Sequence, residues 1–338
     1  MNYNIKENAT CAVIGYGSWG TAIAKILLEN EKSIGWHIIN PEVQASLKNE
    51  GINNKYLTDV HFDDSRLDIS DDINYIVSNY DILVFAVPSA FLPKVISKLN
   101  VSLEDKFVVS AIKGIVNDGV NLITVAEYFN HSFAVPFKQI GLITGPCHAE
   151  EVALERLSYL NVVCKEFGNG EKIAKKFRCP YIRVSVVSDI YGIEYSTVLK
   201  NIYALSVGIC SGLGYGDNFM AVLITNAQRE VKNFIDSTYA CDTRDVNTSP
   251  YLGDLLVTSY SKFSRNRTFG VMIGKGYSVE NVKIEMNMVA EGYYASKCIH
   301  EINSTKNIEM PIANAVYNIL YCNKSGKREI EKLSKLLK

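Results

Sequence analysis

The chain has 338 residues, which is long enough for two domains, because a single hydrophobic core stops growing near about 250 to 300 residues. Its 35 lysines and arginines balance 36 aspartates and glutamates, and the formal net charge is -1. This balance excludes a global field of the kind that attracts nucleic acid or an anionic membrane surface. Any anionic ligand must therefore be bound by a local cluster of donors.

The first residues are polar and lack the basic start and apolar core of a signal peptide. No run of about 18 apolar residues fits a membrane span. Eight cysteines are scattered along the chain without a C-x-x-C pair. We interpret them as reduced core residues, and we predict a cytoplasmic protein with neither a disulfide framework nor a metal site.

Short apolar strands alternate with helical patterns in the first half of the chain. This alternation predicts an α/β fold over residues 1–188, with a doubly wound, Rossmann-type parallel sheet covered by helices on both faces. The predicted strands are 11–15, 33–39, 81–87, 107–112, 140–144, 160–164 and 181–186, and helices are predicted at 19–30 and 89–98.

Long helical patterns replace this alternation after about Asp189. They predict an all-α C-terminal domain over residues 189–338, which would bind substrate and carry the catalytic groups. The closing segment, 323–338, has the pattern of a charged amphipathic helix on the surface. The other predicted helices are 190–210, 219–238, 283–302 and 312–321, with a glycine-rich bend at 212–218.

The segment GYGSWG follows the first predicted strand and opens a helix, which is the context that a dinucleotide-binding turn requires. Gly15 would permit the tight turn, Gly17 the close approach of the backbone to a pyrophosphate, and Gly20 the packing of helix against strand. A glycine-rich turn that binds no ligand is the alternative. We favour dinucleotide binding because the motif lies in the first βαβ unit.

The residues expected to contact the adenosine ribose give no clear signal for the cofactor. About 20 residues after the glycines, an acidic residue would bind the 2′-hydroxyl of NAD, or an arginine the 2′-phosphate of NADP. The chain reads WHIINPE from Trp36 to Glu42 at this point. Glu42 follows a proline, and we expect it to open the next helix. The choice between NAD and NADP stays open.

The apolar helix predicted at 190–210 contains Lys200 beside Asn201. A buried ammonium is costly unless it reaches water or an anionic partner. Lys200 could therefore extend to solvent. Alternatively, it could be paired, with Asp254 as the plausible partner, and its pKa lowered by burial so that it transfers a proton near neutral pH.

A compact cluster of polar side chains follows in the segment 253–270. These residue types suit a phosphate or carbonyl oxygens, whereas a solvated loop rich in serine, arginine and asparagine is the alternative. The cluster consists of Asp254, Thr258, Ser264, Arg265 and Asn266.

Two other segments lie where predicted parallel strands end, which is where such sheets bind ligands. Lys113 could contact a substrate phosphate or carbonyl there, or it could be an ordinary surface lysine. The turn at Gly145 leads into a helix with Cys147 and His148. Adjacent residues at a helix start point in different directions, so we do not predict nucleophilic catalysis by this pair.

In these motifs the sequence resembles the NAD(P)-dependent glycerol-3-phosphate dehydrogenase family over nearly its whole length. The resemblance implies reversible hydride transfer between NAD or NADP and C2 of a three-carbon phosphate. The reaction interconverts dihydroxyacetone phosphate and sn-glycerol 3-phosphate, which would supply phospholipid synthesis, and a homodimer is implied. The matching segments are GYGSWGTAIA, NNKYL, VFAVPS, AIKGI, TGPCHAEEVA, the helix containing LKN, the segment containing SRNR, VAEG and EMPIANAVYNIL.

The resemblance also implies the site residues. Lys200 matches the proton-transfer lysine of the family, and Asp254 falls on a substrate position. We predict that Lys200 and Asp254 together form the catalytic set. The implied substrate positions are Lys113, Gly145, Cys147, Asn201, Thr258, Ser264, Arg265 and Asn266. The implied cofactor positions are Gly15, Gly17, Ser18, Trp19, Gly20, Tyr56, Lys113, Ala149, Arg265, Val289 and Glu291.

The chain departs from the family pattern at four places. Cys147 replaces a serine, His148 replaces an aromatic residue, and Ile39 or a neighbour replaces an arginine near the end of the second strand. The segment ERLSYLNVV, residues 155–163, lacks the Pro-Thr-Ala expected before the later strand. Two alternative functions stay open: a related β-hydroxyacid dehydrogenase with a carboxylate substrate, and a non-catalytic dinucleotide-binding redox sensor.

Overall fold

A computed structural model describes residues 3–286 and 290–338 of the chain. The chain divides into two compact units, of which the first comprises Met1–Ile112 and Val116–Ile190, and the second Lys113–Ile115 and Tyr191–Lys338. The domain boundary expected after residue 188 stays a prediction. Among the described residues, no helix combines the length and apolarity needed to cross a membrane.

All strands found among the described residues lie in the first unit. They are β1 (Cys11–Ile14), β2 (Ile34–His37), β3 (Leu67–Ser70), β4 (Ile82–Phe85), β5 (Phe107–Ser110), β6 (Val116–Asn117), β7 (Leu122–Ile123), β8 (Ile140–Thr144), β9 (Ser158–Cys164) and β10 (Ile182–Val187). Eight of them form one sheet in the order β10-β9-β8-β5-β4-β1-β2-β3, and β6 and β7 form a separate antiparallel pair.

The large sheet confirms the predicted doubly wound fold, with one departure. Every neighbouring pair is parallel except β8 and β9, which are antiparallel. The central strands β1, β4 and β5 are buried at every residue, as expected where helices cover both faces. The edge strand β3 is only partly buried at every residue, and its alternating polar residues kept it out of the predicted set.

The helices of the first unit pack around this sheet. The predicted helix at 89–98 is shorter than expected, because a 3₁₀ turn at Ser89–Phe91 precedes it. The helices are α1 (Ser18–Leu28), α2 (Pro41–Glu50), α3 (Ile73–Asn79), α4 (Leu92–Ile96), α5 (Val125–Phe133), α6 (Ala149–Ala153) and α7 (Phe167–Phe177).

The described part of the second unit is helical, as predicted. A π-helical turn at Ser249–Gly253 leads into one of its helices. The helices are α8 (Ile190–Gly212), α9 (Asp217–Thr238), α10 (Asp254–Tyr260), α11 (Arg265–Gly274), α12 (Val279–Glu285), α13 (Glu291–Lys306), α14 (Pro311–Tyr321) and α15 (Gly326–Ser334).

The single helix predicted at 283–302 is wrong. The backbone of Met286, which follows α12, and that of Ala290, which precedes α13, are both extended. The closing amphipathic helix is present as α15, which buries Ile330 and Leu333 on one face. All eight cysteines lie among the described residues, and none of them forms a disulfide.

Helices α8 and α11 touch backbone to backbone. Gly208 and Gly212 of α8 face Gly270 and Gly274 of α11. A Cβ atom at any of these four positions would lie only 2.1 to 2.3 Å from a carbonyl oxygen of the other helix. This contact fixes the distance between α8, which carries Lys200, and α11.

Candidate active site

The glycine turn after β1 depends on the absence of side chains. Gly15 has a φ of +117°, and a Cβ there would lie 2.6 Å from the carbonyl oxygen of Ala86. A Cβ at Gly20 would lie 2.4 Å from the carbonyl oxygen of Gly15. Apart from Gly17 and its two chain neighbours, no atom of the described residues lies within 4 Å of a Cβ built at Gly17. Two glycines therefore allow the turn to form, and Gly17 leaves open space in front of the backbone.

The N-terminus of α1 fits an anionic ligand in that space. Gly17 occupies the capping position without a side-chain cap, and the first turn contains no acidic residue. Amide groups at such a helix start attract a phosphate. Ser18 and Trp19 are the first two residues of α1, and the buried Nε1 of Trp19 has no hydrogen-bond partner among the described residues. These features fit the pyrophosphate of a dinucleotide.

Two side chains that the sequence analysis did not select hold this turn. Trp36 Nε1 donates to the carbonyl oxygen of Gly15 at 2.9 Å. Asn53 Nδ2 donates to the carbonyl oxygen of Tyr16 and to Thr21 Oγ1, both at 2.8 Å. The available signals were the tryptophan within a predicted strand and the asparagine pair of NNKYL.

Other residues predicted to contact the cofactor or substrate also lie in the first unit. The Tyr56 ring lies edge-on to the Tyr16 ring, with centroids 6.3 Å apart. Gly145 has a φ of +131°, and a Cβ there would lie 2.6 Å from the carbonyl oxygen of Tyr159. Cys147 Sγ donates to the same oxygen at 3.3 Å, and α6 begins at Ala149. This turn therefore packs against β9.

The second unit buries an ion pair in the middle of α8. The Lys200 ammonium donates to the Asp254 carboxylate, and it donates to Thr258 Oγ1 at 3.0 Å. Lys200 is 4% exposed and Asp254 is 1% exposed. The predicted pairing is present, and the alternative that Lys200 extends to solvent is wrong. Asp254 and Thr258 lie four residues apart on α10, so one turn of this helix presents both acceptors.

A second lysine approaches the same carboxylate. Lys113 Nζ lies 3.5 Å from Asp254 Oδ2, and its side chain is 21% exposed. The alternative of an ordinary surface lysine is therefore wrong for Lys113. Burial lowers the pKa of Lys200 to about 7, Lys113 acts in the same direction, and Asp254 opposes the shift. A lysine with this pKa can both donate and accept a proton near neutral pH.

The start of α11 is tied to two other helices. Ser264 Oγ caps α11 by accepting from the Arg267 amide at 3.3 Å. Asn266 Nδ2 donates to Asn201 Oδ1 of α8 at 3.0 Å, and Asn266 Oδ1 accepts from the Gly292 amide of α13 at 2.9 Å. Ser264 and Asn266 are buried. The segment is therefore a helix start rather than a solvated loop.

The remaining predicted residues lie around this helix start. Arg265 is the first residue of α11 and is half-buried. Glu291 is the first residue of α13 and is also half-buried. Val289, predicted to contact the cofactor, lies outside the described residues. The structure thus brings Lys113, Lys200 and Asp254 together in the second unit, whereas the glycine turn belongs to the first.

Comparison with known proteins gives matches along nearly the whole chain. Residues 10–168 match the family model of the NAD-dependent glycerol-3-phosphate dehydrogenase N-terminus, and residues 189–331 match that of the C-terminus. Two similar relatives are glycerol-3-phosphate dehydrogenases [NAD(P)+]. The one from Chlorobium phaeobacteroides is 37% identical, covering 94% of this chain and 95% of the relative. The one from Oceanobacillus iheyensis is 35% identical, covering 95% and 92%.

A similar solved structure is that of glycerol-3-phosphate dehydrogenase from Coxiella burnetii. It has a TM-score of 0.88 and 25% sequence identity, and the match covers 97% of this chain and 99% of that chain. Both units of the present chain thus have a counterpart among proteins of one family. The chain belongs to the NAD-dependent glycerol-3-phosphate dehydrogenase family.

Proposed function

We propose that this chain interconverts dihydroxyacetone phosphate and sn-glycerol 3-phosphate as an NAD(P)-dependent dehydrogenase. The observation that carries the proposal is the buried ammonium of Lys200, bonded to Asp254 beside Lys113, in a chain of this family. A lysine is rarely buried without an anionic partner or a functional role, because removing its charge from water costs free energy.

The cluster suits the reduction of a carbonyl group. Bound NAD(P)H supplies the hydride to the carbonyl carbon of the substrate. Lys200 donates the proton that the carbonyl oxygen needs, and with a pKa of about 7 it is readily protonated again at neutral pH. Lys113 adds a second positive charge, which stabilises the negative charge that develops on that oxygen.

Asp254 and Thr258 act on the lysine rather than on the substrate. Their hydrogen bonds hold the ammonium in one orientation. The Thr258 hydroxyl is itself fixed, because it donates to the backbone carbonyl of Asp254 at 2.6 Å. An ammonium that is already oriented does not have to reorganise when the proton moves. We therefore assign Thr258 a positioning role, although the sequence suggested a substrate contact.

Arg265 is our candidate for the substrate phosphate. Its guanidinium can bond two phosphate oxygens at once, and it stands at the positive end of the α11 dipole. Both hydrogen-bonding ends of Asn266 are engaged with Asn201 and Gly292, so we assign Asn266 to holding this helix start. Substrate contacts of Gly145, Cys147 and Ser264 stay predictions, as do cofactor contacts of Tyr56, Ala149 and Glu291.

The test is a spectrophotometric assay of the purified chain with dihydroxyacetone phosphate and either NADH or NADPH. We expect oxidation of at least one cofactor and formation of sn-glycerol 3-phosphate. No turnover with either cofactor would overturn the proposal. Hydroxy acids serve as competing substrates, and faster turnover of a hydroxy acid would point instead to a β-hydroxyacid dehydrogenase. Cofactor binding without any turnover would point to a redox sensor.

We also propose a homodimer in the cytoplasm. The dimer rests on the family resemblance, and the location rests on eight cysteines that form no disulfide among the described residues, which suits a reducing compartment. Sedimentation equilibrium of the purified chain measures the assembly, and a mass of one chain at micromolar concentration would exclude the dimer.

A further inference from the structure

The residues that follow β2 contact the adenosine ribose in a dinucleotide-binding unit of this kind. Here β2 ends at His37 and α2 begins at Pro41. Ile38 is fully buried, whereas Ile39 is 56% exposed. No residue from 38 to 44 is a lysine or an arginine. The connection therefore presents an apolar side chain and lacks the cation that a 2′-phosphate requires.

The N-terminus of α2 does not replace that cation. Asn40 Oδ1 accepts from the amides of Glu42 at 2.9 Å and Val43 at 3.3 Å. The amide of Gln44 donates to the carbonyl oxygen of Asn40, and Pro41 has no amide hydrogen. The first amides of α2 are thus already bonded, and this helix start has none left for an anion.

The charges around this edge are also unfavourable for a phosphate. Glu42 lies in the first turn of α2, as the sequence predicted, and its carboxylate binds Lys55 Nζ at 2.6 Å. Asp71 follows the neighbouring strand β3, and its carbonyl oxygen lies 3.2 Å from His37 Nε2. The next cation after Ile39, Lys48, lies in the last turn of α2, at the other end from this connection, and the one after it, Lys55, is engaged by the Glu42 carboxylate.

His37 adds no positive charge at this edge near neutral pH. Burial lowers its pKa, and Lys98 acts in the same direction, while Asp71 and Asp72 oppose the shift. A ring whose pKa falls below its ordinary value is neutral at pH 7. The charged groups that act on this ring are thus two carboxylates and one lysine.

We infer that this chain binds NADH in preference to NADPH, and that Ile39 and Glu42 set the preference. A neutral 2′-hydroxyl can lie beside an apolar side chain and a carboxylate, which is a hydrogen-bond acceptor. A 2′-phosphate carries close to two negative charges at neutral pH, and it would lie near Glu42 without an unengaged cation on the β2–α2 connection. The inference rests on the proposed function in taking the ligand to be NAD(P)H.

The test is a binding titration that does not depend on turnover. The chain has two tryptophans, and both lie at the glycine turn, since Trp19 is in the first turn of α1 and Trp36 bonds Gly15. Quenching of their fluorescence therefore reports dinucleotide binding. At low ionic strength we expect a Kd for NADPH at least about tenfold above that for NADH. Equal affinities for the two cofactors, or tighter binding of NADPH, would overturn this inference and leave the proposed function intact.

Binding of neither cofactor would overturn the proposed function together with this inference. If NADH binds but dihydroxyacetone phosphate is not reduced, the proposed function fails while the cofactor preference stands. The two ideas are thus separated by comparing the titration with the activity assay.

Substitutions at the exposed Ile39 locate the preference. Ile39→Arg supplies the absent cation, so NADPH affinity should rise about tenfold or more, with little change for NADH. Ile39→Gln is the uncharged control and should leave the ratio of the two Kd values unchanged. No gain in NADPH affinity for Ile39→Arg, with NADH binding intact, would remove the role assigned to this residue.

Glu42 and Lys55 test a second route to NADPH binding, in which their ion pair opens and Lys55 contacts the phosphate. The double variant Glu42→Gln/Lys55→Ala removes both charges of this pair, so it should leave the ratio of the two Kd values close to that of the wild type, and a selective loss of NADPH affinity would overturn the inference. Glu42→Gln removes a carboxylate and releases Lys55, so it should raise NADPH affinity by about three- to tenfold. An unchanged ratio would remove Glu42 from the assignment.

Discussion

The candidate sites of the two units are formed by different parts of the chain, the backbone in the first unit and charged side chains in the second. In the first, the backbone makes the turn: Gly15 and Gly20 leave no room for side chains, and Gly17 leaves space for a ligand. In the second, charged side chains from separate segments meet, with Lys113 and Lys200 on either side of Asp254. Changes of backbone conformation should therefore damage the first site most, and changes of charge or pH the second.

Replacing Lys200 should give the largest effect. In Lys200→Ala the proton donor is absent, so turnover should fall by about 100-fold or more. NADH binding, measured by tryptophan fluorescence, should change little, because the glycine turn belongs to the first unit. Lys306→Ala, at the exposed end of α13, is the matched control. A Lys200→Ala variant with unchanged turnover would exclude the proposed role.

Alanine substitutions at Gly15 and Gly17 should distinguish an effect on the stability of the first unit from an effect on dinucleotide binding. In Gly15→Ala, the positive φ and the contact with Ala86 should lower the free energy of unfolding by about 3 kcal/mol. Gly17 has an ordinary φ of -68°, and within the described part of the chain nothing beyond its sequence neighbours lies near its Cβ position. Gly17→Ala should therefore unfold much like the wild type.

The same Gly17→Ala variant should bind NADH at least about tenfold more weakly, because its methyl group occupies the space that the pyrophosphate requires. Denaturant unfolding and fluorescence titration measure the two effects. Equal NADH affinity in Gly17→Ala and the wild type would contradict the assignment of this turn to the dinucleotide.

These glycines also show how much the sequence could predict. The turn is local: three glycines within six residues, after a strand and before a helix, specify its geometry. The buried strands could also be predicted, because each contains a continuous apolar run. Strand β3, at the sheet edge, was not predicted because Asp68 and Ser70 interrupt its apolar residues. The break after α12 was missed because the residues up to Glu291 keep a helical spacing of apolar side chains.

The charge cluster could be predicted only in part, because its members are far apart along the chain. The cost of burying Lys200 called for an anion, and Asp254 was the predicted partner. That Lys113 approaches the same carboxylate depends on the three-dimensional path of residues 113–115, which no local pattern records. The engagement of Asn266 with Asn201 and Gly292 is likewise a property of three packed helices.

A buried carboxyl outside the site should make the second unit sensitive to pH. Glu230 accepts from the Ile312 amide at 2.6 Å, the Ala313 amide at 3.3 Å and the Tyr203 hydroxyl at 3.2 Å. Burial nevertheless raises the pKa of Glu230 to about 7. As pH rises, the folded state therefore keeps the Glu230 proton to a higher pH than the unfolded state does.

For Glu230, stability should be greatest below the unfolded pKa and should fall as pH rises through the folded pKa. We expect a loss of about 2 kcal/mol in the free energy of unfolding between pH 5 and pH 8 from this group. Glu230→Gln should flatten that part of the profile in urea titrations. A variant profile parallel to the wild type would show that Glu230 is not the cause.

The pH dependence of turnover tests the charged cluster of Lys200 and Asp254 in the second unit. Reduction needs protonated Lys200, so its rate should fall as pH rises through about 7, and the reverse oxidation should rise over the same range. Asp254 raises the pKa of Lys200, so Asp254→Asn should move both midpoints to lower pH by about one unit. Profiles of kcat/KM in both directions measure this, and a midpoint that stays in place would contradict it.

The glycine contact between α8 and α11 has a consequence for substrate size. Lys200 lies on α8 and Arg265 is the first residue of α11, so the distance from the proposed proton donor to the proposed phosphate contact depends on how closely the two backbones approach. No layer of side chains lies between them at the four glycines to yield by changing rotamer. The distance between these two proposed contacts is thus rigid. A substrate with one more carbon between its carbonyl and its phosphate would have to bend in order to reach both Lys200 and Arg265, or it would lose one of these contacts.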